Sequence, residues 1–117
     1  MAFSVTSADV SSVIVLRLQG ELDIHVAPRL EEEIRDHLTA GRNLIVLDLS
    51  EVSYVDSTGL GVMIGALKNL QAAGGGLALA APTTRIVRIL QVTGLDGIFC
   101  VRQSVDDAVQ FLLKPSS

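Results

Sequence analysis

The hydrophobic positions of this chain change period several times, and each change marks an element. Phe3-Ser4-Val5-Thr6 alternates, as an edge or partner strand would. Val13-Ile14-Val15-Leu16-Arg17-Leu18 starts as a continuous apolar run and ends alternating, which suits a sheet strand, and Gly20-Glu21-Leu22-Asp23 is expected to break it. From Ala27 the apolar residues Leu30, Ile34 and Leu38 recur at helical spacing, with Pro28 in the first turn and Gly41 past the end. Leu44-Ile45-Val46-Leu47-Asp48-Leu49 is the strongest buried-strand pattern, and Ser50 to Val55 is read as a connection. A second helix is predicted from about Thr58 to Ala73, burying Leu60, Met63, Ile64, Leu67 and Leu70. Gly74-Gly75-Gly76 reads as a helix-to-strand turn, and Leu77 to Ala80 as the next strand.

Pro82-Thr83-Thr84 opens a third helix with Ile86, Ile89, Leu90 and Val92, and Gly94 closes it. Ile98 to Val101 reads as a last short strand. Ser104-Val105-Asp106-Asp107 resembles a capping box for a fourth helix, which would bury Val105, Ala108, Val109, Leu112 and Phe111. Strands that alternate with helices after an initial strand pair predict an α/β fold, with a mixed, mostly parallel sheet of about five strands and about four helices. In such sheets, ligand and partner sites favour the loops at the carboxyl ends of strands.

Composition narrows the picture. At 117 residues the chain is expected to be one domain, residues 1–117, with a core of Val, Leu, Ile and Ala, because aromatics are only 3%. Nine basic against thirteen acidic residues give a net charge of −4, with the basic ones scattered. That disfavours nucleic acid and anionic membrane as partners. No apolar stretch is long enough to span a bilayer, and MAFSVTSADV lacks the pattern of a signal peptide, so a cytoplasmic protein is expected. Cys100, within Ile98-Phe99-Cys100-Val101, is expected to be a buried structural thiol.

Candidate chemistry gathers at Asp56-Ser57-Thr58-Gly59-Leu60-Gly61. Asp, Ser and Thr are all good helix N-caps, but one cap needs one such residue, and three in succession exceed that need. Gly61 and Gly65 lie inside the predicted helix, where each costs about 1 kcal/mol relative to Ala. At about 100° per residue, Ser57, Gly61, Gly65 and Lys68 share a strip turned away from the buried stripe. Two explanations stand side by side: a bare flank on which another protein's backbone docks, or tight packing of a neighbouring element inside the domain.

Enzyme readings are weaker. Ser57 as a nucleophile needs a positioned base. Of the two histidines, His25 lies in the loop before the first helix, and His37 on a charged helix face is expected to be solvated. The segment lacks the G-x-S-x-G elbow, a dinucleotide fingerprint in step and a G-x-x-x-x-G-K-[ST] loop. Two isolated histidines and one cysteine make no metal set. No enzyme activity and no cofactor or metal are expected. Modification fits better: phosphate on Ser57 would add about −1.5 to −2 charges at a helix mouth that favours anions. Beside Asp56 and Asp23 it would make the patch strongly negative and repel a partner that covered the neutral surface.

Gly20-Glu21-Leu22-Asp23, Leu47-Asp48-Leu49-Ser50 with Val55, the Asp56 to Gly65 segment and Thr93-Gly94-Leu95 with Ile98-Phe99 together resemble the bacterial anti-sigma factor antagonists, built on the STAS domain. The resemblance covers almost the whole chain. It implies a single STAS-type domain with Ser57 as phosphoacceptor, Thr58 as a supporting neighbour, Asp56 flanking it and Asp23 on the adjacent loop facing the kinase. Asp23, Asp56, Ser57, Thr58, Gly59, Gly61 and Gly65 are thus the expected partner-binding set. The resemblance also implies the partners. The unphosphorylated protein would bind an anti-sigma factor serine kinase and free a sigma factor; phosphorylation would end that binding, and a serine phosphatase would reset it. The alternative is a STAS subunit of a transporter or of a stress-signalling assembly.

Overall fold

The computed structural model describes residues 2–114. Its elements are β1 (Ser4–Val10), β2 (Val13–Leu22), α1 (Ala27–Thr39), β3 (Leu44–Val55), α2 (Ser57–Ala72), β4 (Gly76–Ala80), α3 (Thr84–Val92), a 3₁₀ turn (Leu95–Gly97), β5 (Cys100–Arg102) and α4 (Val105–Leu113). The five strands form one sheet in the order β1-β2-β3-β4-β5. The β1–β2 hairpin is antiparallel, and β2 to β5 run parallel. The predicted α/β class, strand number and helix number all match.

Strand periodicity divides the core in two. Ile14, Leu16 and Leu18 of β2, Ile45, Leu47 and Leu49 of β3, and Leu77 and Leu79 of β4 face one cluster, with Leu30 and Ile34 of α1, Met63, Leu67 and Leu70 of α2, and Ile86 and Leu90 of α3. The intervening Val13, Val15, Val46, Ala78 and Ala80 meet Ala108 and Val109 of α4 in a second, smaller cluster. α4 has nine residues, about 13 Å of helix, so it covers only part of its face. Past its reach the same face carries the exposed Arg17 and Glu51, which form an ion pair, and Gln19, which hydrogen-bonds Glu51. This is why β2 begins as an unbroken apolar run and ends in alternation.

Several boundaries differ from expectation. Gly20 does not end β2: the strand continues to Leu22 through register shifts against β3. Gly20 has φ +104°, and a Cβ there would lie 3.2 Å from the Phe3 Cα. β3 likewise runs on through the expected connection to Val55, because Gln19, Gly20, Glu21 and Leu22 supply pairing partners for Glu51, Val52, Tyr54 and Val55. β1 is longer than its apolar signal, extended by pairing as far as Val10 with Val13. β5 begins at Cys100, since Leu95–Gly97 is a 3₁₀ turn and Ile98 is exposed.

Some burial expectations also change. In α2, Ala66 is buried and Ile64 only half-buried. In α4 only Ala108 and Val109 are buried; Val105 and Leu112 are half-buried, and Phe111 is exposed with the Arg102 guanidinium 4.8 Å from its ring centroid. Cys100 is half-buried rather than sealed. His37, expected in solvent, is buried at 8% exposure, with Arg42 Nη1 3.2 Å from Nδ1 and Glu33 Oε1 3.7 Å from Nε2. The C-terminal turn beyond α1 folds Arg42 back over the ring, its N–H donating to the His37 carbonyl.

Candidate functional site at the mouth of α2

β2 and β3 end together, and α2 starts where they end. The Asp56 N–H donates to the Leu22 carbonyl at 3.2 Å, joining the two strand ends. Asp56 is the extended N-cap residue of α2, and its Oδ1 accepts the Gly59 N–H at 2.9 Å. Its Oδ2 accepts the Ile24 N–H, also at 2.9 Å, from the β2–α1 loop. One carboxylate therefore caps the helix and ties down the neighbouring loop. Inside that loop the Asp23 carbonyl accepts from the Val26 and Ala27 amides at 3.1 and 2.8 Å, and Asp23 Oδ1 accepts the His25 N–H at 3.0 Å. His25 is exposed, and Asp23 half-buried.

With the cap assigned to Asp56, the adjacent hydroxyls are spare. Ser57, the first residue of α2, is exposed, and Thr58 is half-buried. Gly59 has a separate task. It is buried, and a Cβ there would stand 2.5 Å from the Leu22 carbonyl oxygen and 2.9 Å from both Leu22 Cγ and Val55 Cγ1. Its own surface is thus turned into the domain, against the expectation that it lines a docking face.

Gly61 and Gly65 are different. A Cβ at either would meet nothing within 4 Å, so no neighbouring element inside the domain requires glycine there. Ser57, Gly61 and Lys68 are exposed and Gly65 half-buried, which places the expected strip at the surface. Gly65 also borders a groove of about 110 Å³ between α1 and α2, walled by Ile34, Leu38 and Val62. Sequence reasoning missed Ile24, which is 59% exposed and fixed to Asp56. An isoleucine between Asp23 and His25 belongs to no apolar period, and that misfit was its only signal.

Among the described residues no group of three or more His, Cys, Asp or Glu side chains is arranged to hold a metal ion, and no helix is long and apolar enough to cross a membrane. Fold and site together define a small mixed α/β domain with an exposed serine and a bare helix flank at the carboxyl ends of its parallel strands.

Comparison with known proteins places that class more finely. Residues 5–108 match the STAS domain family. The anti-sigma-B factor antagonist of Bacillus subtilis is 36% identical over 97 residues, 83% of this chain and 88% of that one. A crystal structure of a Thermotoga maritima protein superposes with a TM-score of 0.88 at 32% identity, covering 94% of this chain and 95% of the other. The Bacillus cell fate determinant SpoIIAA, solved in its phosphorylated form, gives a TM-score of 0.72 at 26% identity, covering 94% of this chain and 98% of that one. The chain belongs to the STAS domain family, among its anti-sigma factor antagonists.

Proposed function

We propose that this chain works as a phosphorylation-controlled anti-sigma factor antagonist in the cytoplasm. Unphosphorylated, it binds an anti-sigma factor that is also a serine kinase, and a sigma factor is released. The kinase phosphorylates Ser57 and binding ends; a serine phosphatase restores the first state. In this reading the chain is a substrate and a binding partner, with no catalysis of its own.

The observation that carries the proposal is the division of labour at the helix mouth. Asp56 makes the capping bond, so the exposed Ser57 is free to react without loss of the cap. A phosphate on Ser57 would sit at the N-terminus of a 16-residue helix, whose dipole favours an anion. The fold would therefore persist. A partner seated on Ser57, Thr58, Gly61 and Gly65 would instead meet a dianion beside the Asp56 and Asp23 carboxylates and would lose contact through repulsion and desolvation. Asp56 acts here as a positioning residue, since both its oxygens are engaged with backbone amides. The phosphorylated form of the SpoIIAA relative lends support from outside the chain.

The test is to capture the serine kinase with the purified protein, add ATP, and sequence the peptide containing Ser57 by mass spectrometry. Phosphate on Ser57, with release of the kinase, is the expected result. Ser57→Ala should bind and resist release, whereas Ser57→Asp should bind at least tenfold more weakly. Equal affinities of the two variants, or phosphate on another residue, would overturn the proposal.

A further inference from the structure

The outer face of α3 carries Arg85, Arg88, Ile89 and Val92 at i, i+3, i+4 and i+7, the spacing of one helix stripe. The inner stripe, Ile86 and Leu90, is buried in the core, and Ile89, half-buried, packs against that core from the edge of the outward stripe, whereas Val92 belongs to neither core cluster and has no structural duty to be apolar. Val92 is 80% exposed, and beside it lies Tyr54 from the end of β3, 37% exposed. The hydroxyl of Thr83 donates to the Val52 carbonyl at 3.4 Å and holds the start of α3 against that strand end. Tyr54, Arg85, Arg88, Ile89, Val92 and Thr93 together wall a solvent-open groove of about 350 Å³.

The charges around this groove are one-sided. The Arg85 guanidinium lies 5.4 Å from the Tyr54 ring centroid. Among the described residues the ion pairs are made by Arg17, Arg35 and His37, so neither Arg85 nor Arg88 has a carboxylate partner. α3 itself contains no acidic residue. In a chain with four more acidic than basic residues, two unpaired guanidinium groups over an apolar floor form a local reversal of sign. Arginine and aromatic side chains are the residues that most often anchor protein interfaces, and guanidinium forks match carboxylates in two-point geometry.

We propose that this groove is a second docking site, and that it takes an acidic segment of a partner protein. An aliphatic side chain of that segment enters between Tyr54, Ile89 and Val92, and its flanking carboxylates pair with Arg85 and Arg88. Two cations make no stripe able to follow a phosphate backbone, and the net negative charge of the chain repels one. An apolar floor flanked by two forks fits a short amphipathic peptide instead.

Isotope-labelled protein titrated with a short acetylated peptide, two leucines one helical turn apart among glutamates, tests this by amide shifts. Shifts confined to Tyr54 and the Arg85 to Thr93 segment, weakened by salt, are expected. The double variant Arg85→Glu, Arg88→Glu and the single variant Val92→Asp should each bind at least tenfold more weakly with an unchanged melting temperature. The same peptide with lysines for glutamates should leave the groove unperturbed. The proposal is overturned if the acidic peptide produces no shift at millimolar concentration. Equal response to the lysine peptide, or shifts on the Gly61–Gly65 flank instead, would overturn it as well. Preferential binding of phosphatidylglycerol vesicles through the same residues would show a membrane surface in place of a protein site.

Discussion

At the scale of single residues, the site separates groups that hold the structure from groups that are free to act. Asp56 holds two segments through two hydrogen bonds. Asp56→Ala removes the cap and the tie to Ile24, and is expected to lower stability by about 1–2 kcal/mol, read as a shifted denaturant midpoint. Ser57→Ala, one position on, should stay within about 0.5 kcal/mol of the parent. Gly59→Ala would press a Cβ onto the Leu22 carbonyl, and a loss of about 1–3 kcal/mol is expected from such overpacking. Asp23→Ala leaves its backbone carbonyl holding Val26 and Ala27 and loses only the bond to the His25 amide. Its effect should therefore fall mainly on partner affinity, measured by titration calorimetry, and only slightly on melting temperature.

At the scale of elements, α2 is informative because it departs from good helix design where nothing inside the domain asks it to. Gly61 and Gly65 have open space where a Cβ would go. Replacing either with Ala should raise stability by up to about 1 kcal/mol, visible as a higher melting temperature. The same change should weaken partner binding if that flank meets another protein's backbone closely. Gly61→Leu should block docking outright, and an unchanged complex would mean the partner sits elsewhere. A rise in stability together with a fall in binding is the signature of a residue kept for function.

For the molecule as a whole, the sheet has one face packed along β2, β3 and β4 by α1, α2 and α3, and another only partly covered by α4. The uncovered part is held by charge and hydrogen bonding. The Gln19 side chain, then the Arg17 guanidinium, hydrogen-bond the Glu51 carboxylate and hold it below the usual glutamate range. A carboxyl whose folded value is depressed contributes stability above its unfolded value, near about 4.3, and that contribution is lost as pH falls through the lower folded value. Side-chain carbon NMR of Glu51 should give a depressed midpoint that moves up in Gln19→Ala. A midpoint unmoved by that change would mean that the hydrogen bond does not persist in solution.

The elements themselves were legible in the chain, because helix and strand periodicities are short-range and depend on residues two to four positions apart. So were the α2 cap cluster and the alignment of Ser57, Gly61 and Gly65 on one strip turned from the buried stripe, which need nothing beyond 3.6 residues per turn. Strand length was not legible beyond Leu18 and Leu49, since what keeps β2 and β3 extended is their pairing with each other across more than thirty intervening positions. Local pattern also missed His37, because Arg42 folds back over its ring, and the separate task of Gly59, because Leu22 reaches it from another strand. Local pattern is enough for the α/β alternation and for the place of Ser57 at the start of α2. That Ser57 is exposed, that Asp56 is the cap, that Gly59 packs and that the Gly61 flank lies bare follow from contacts between segments that meet only on folding.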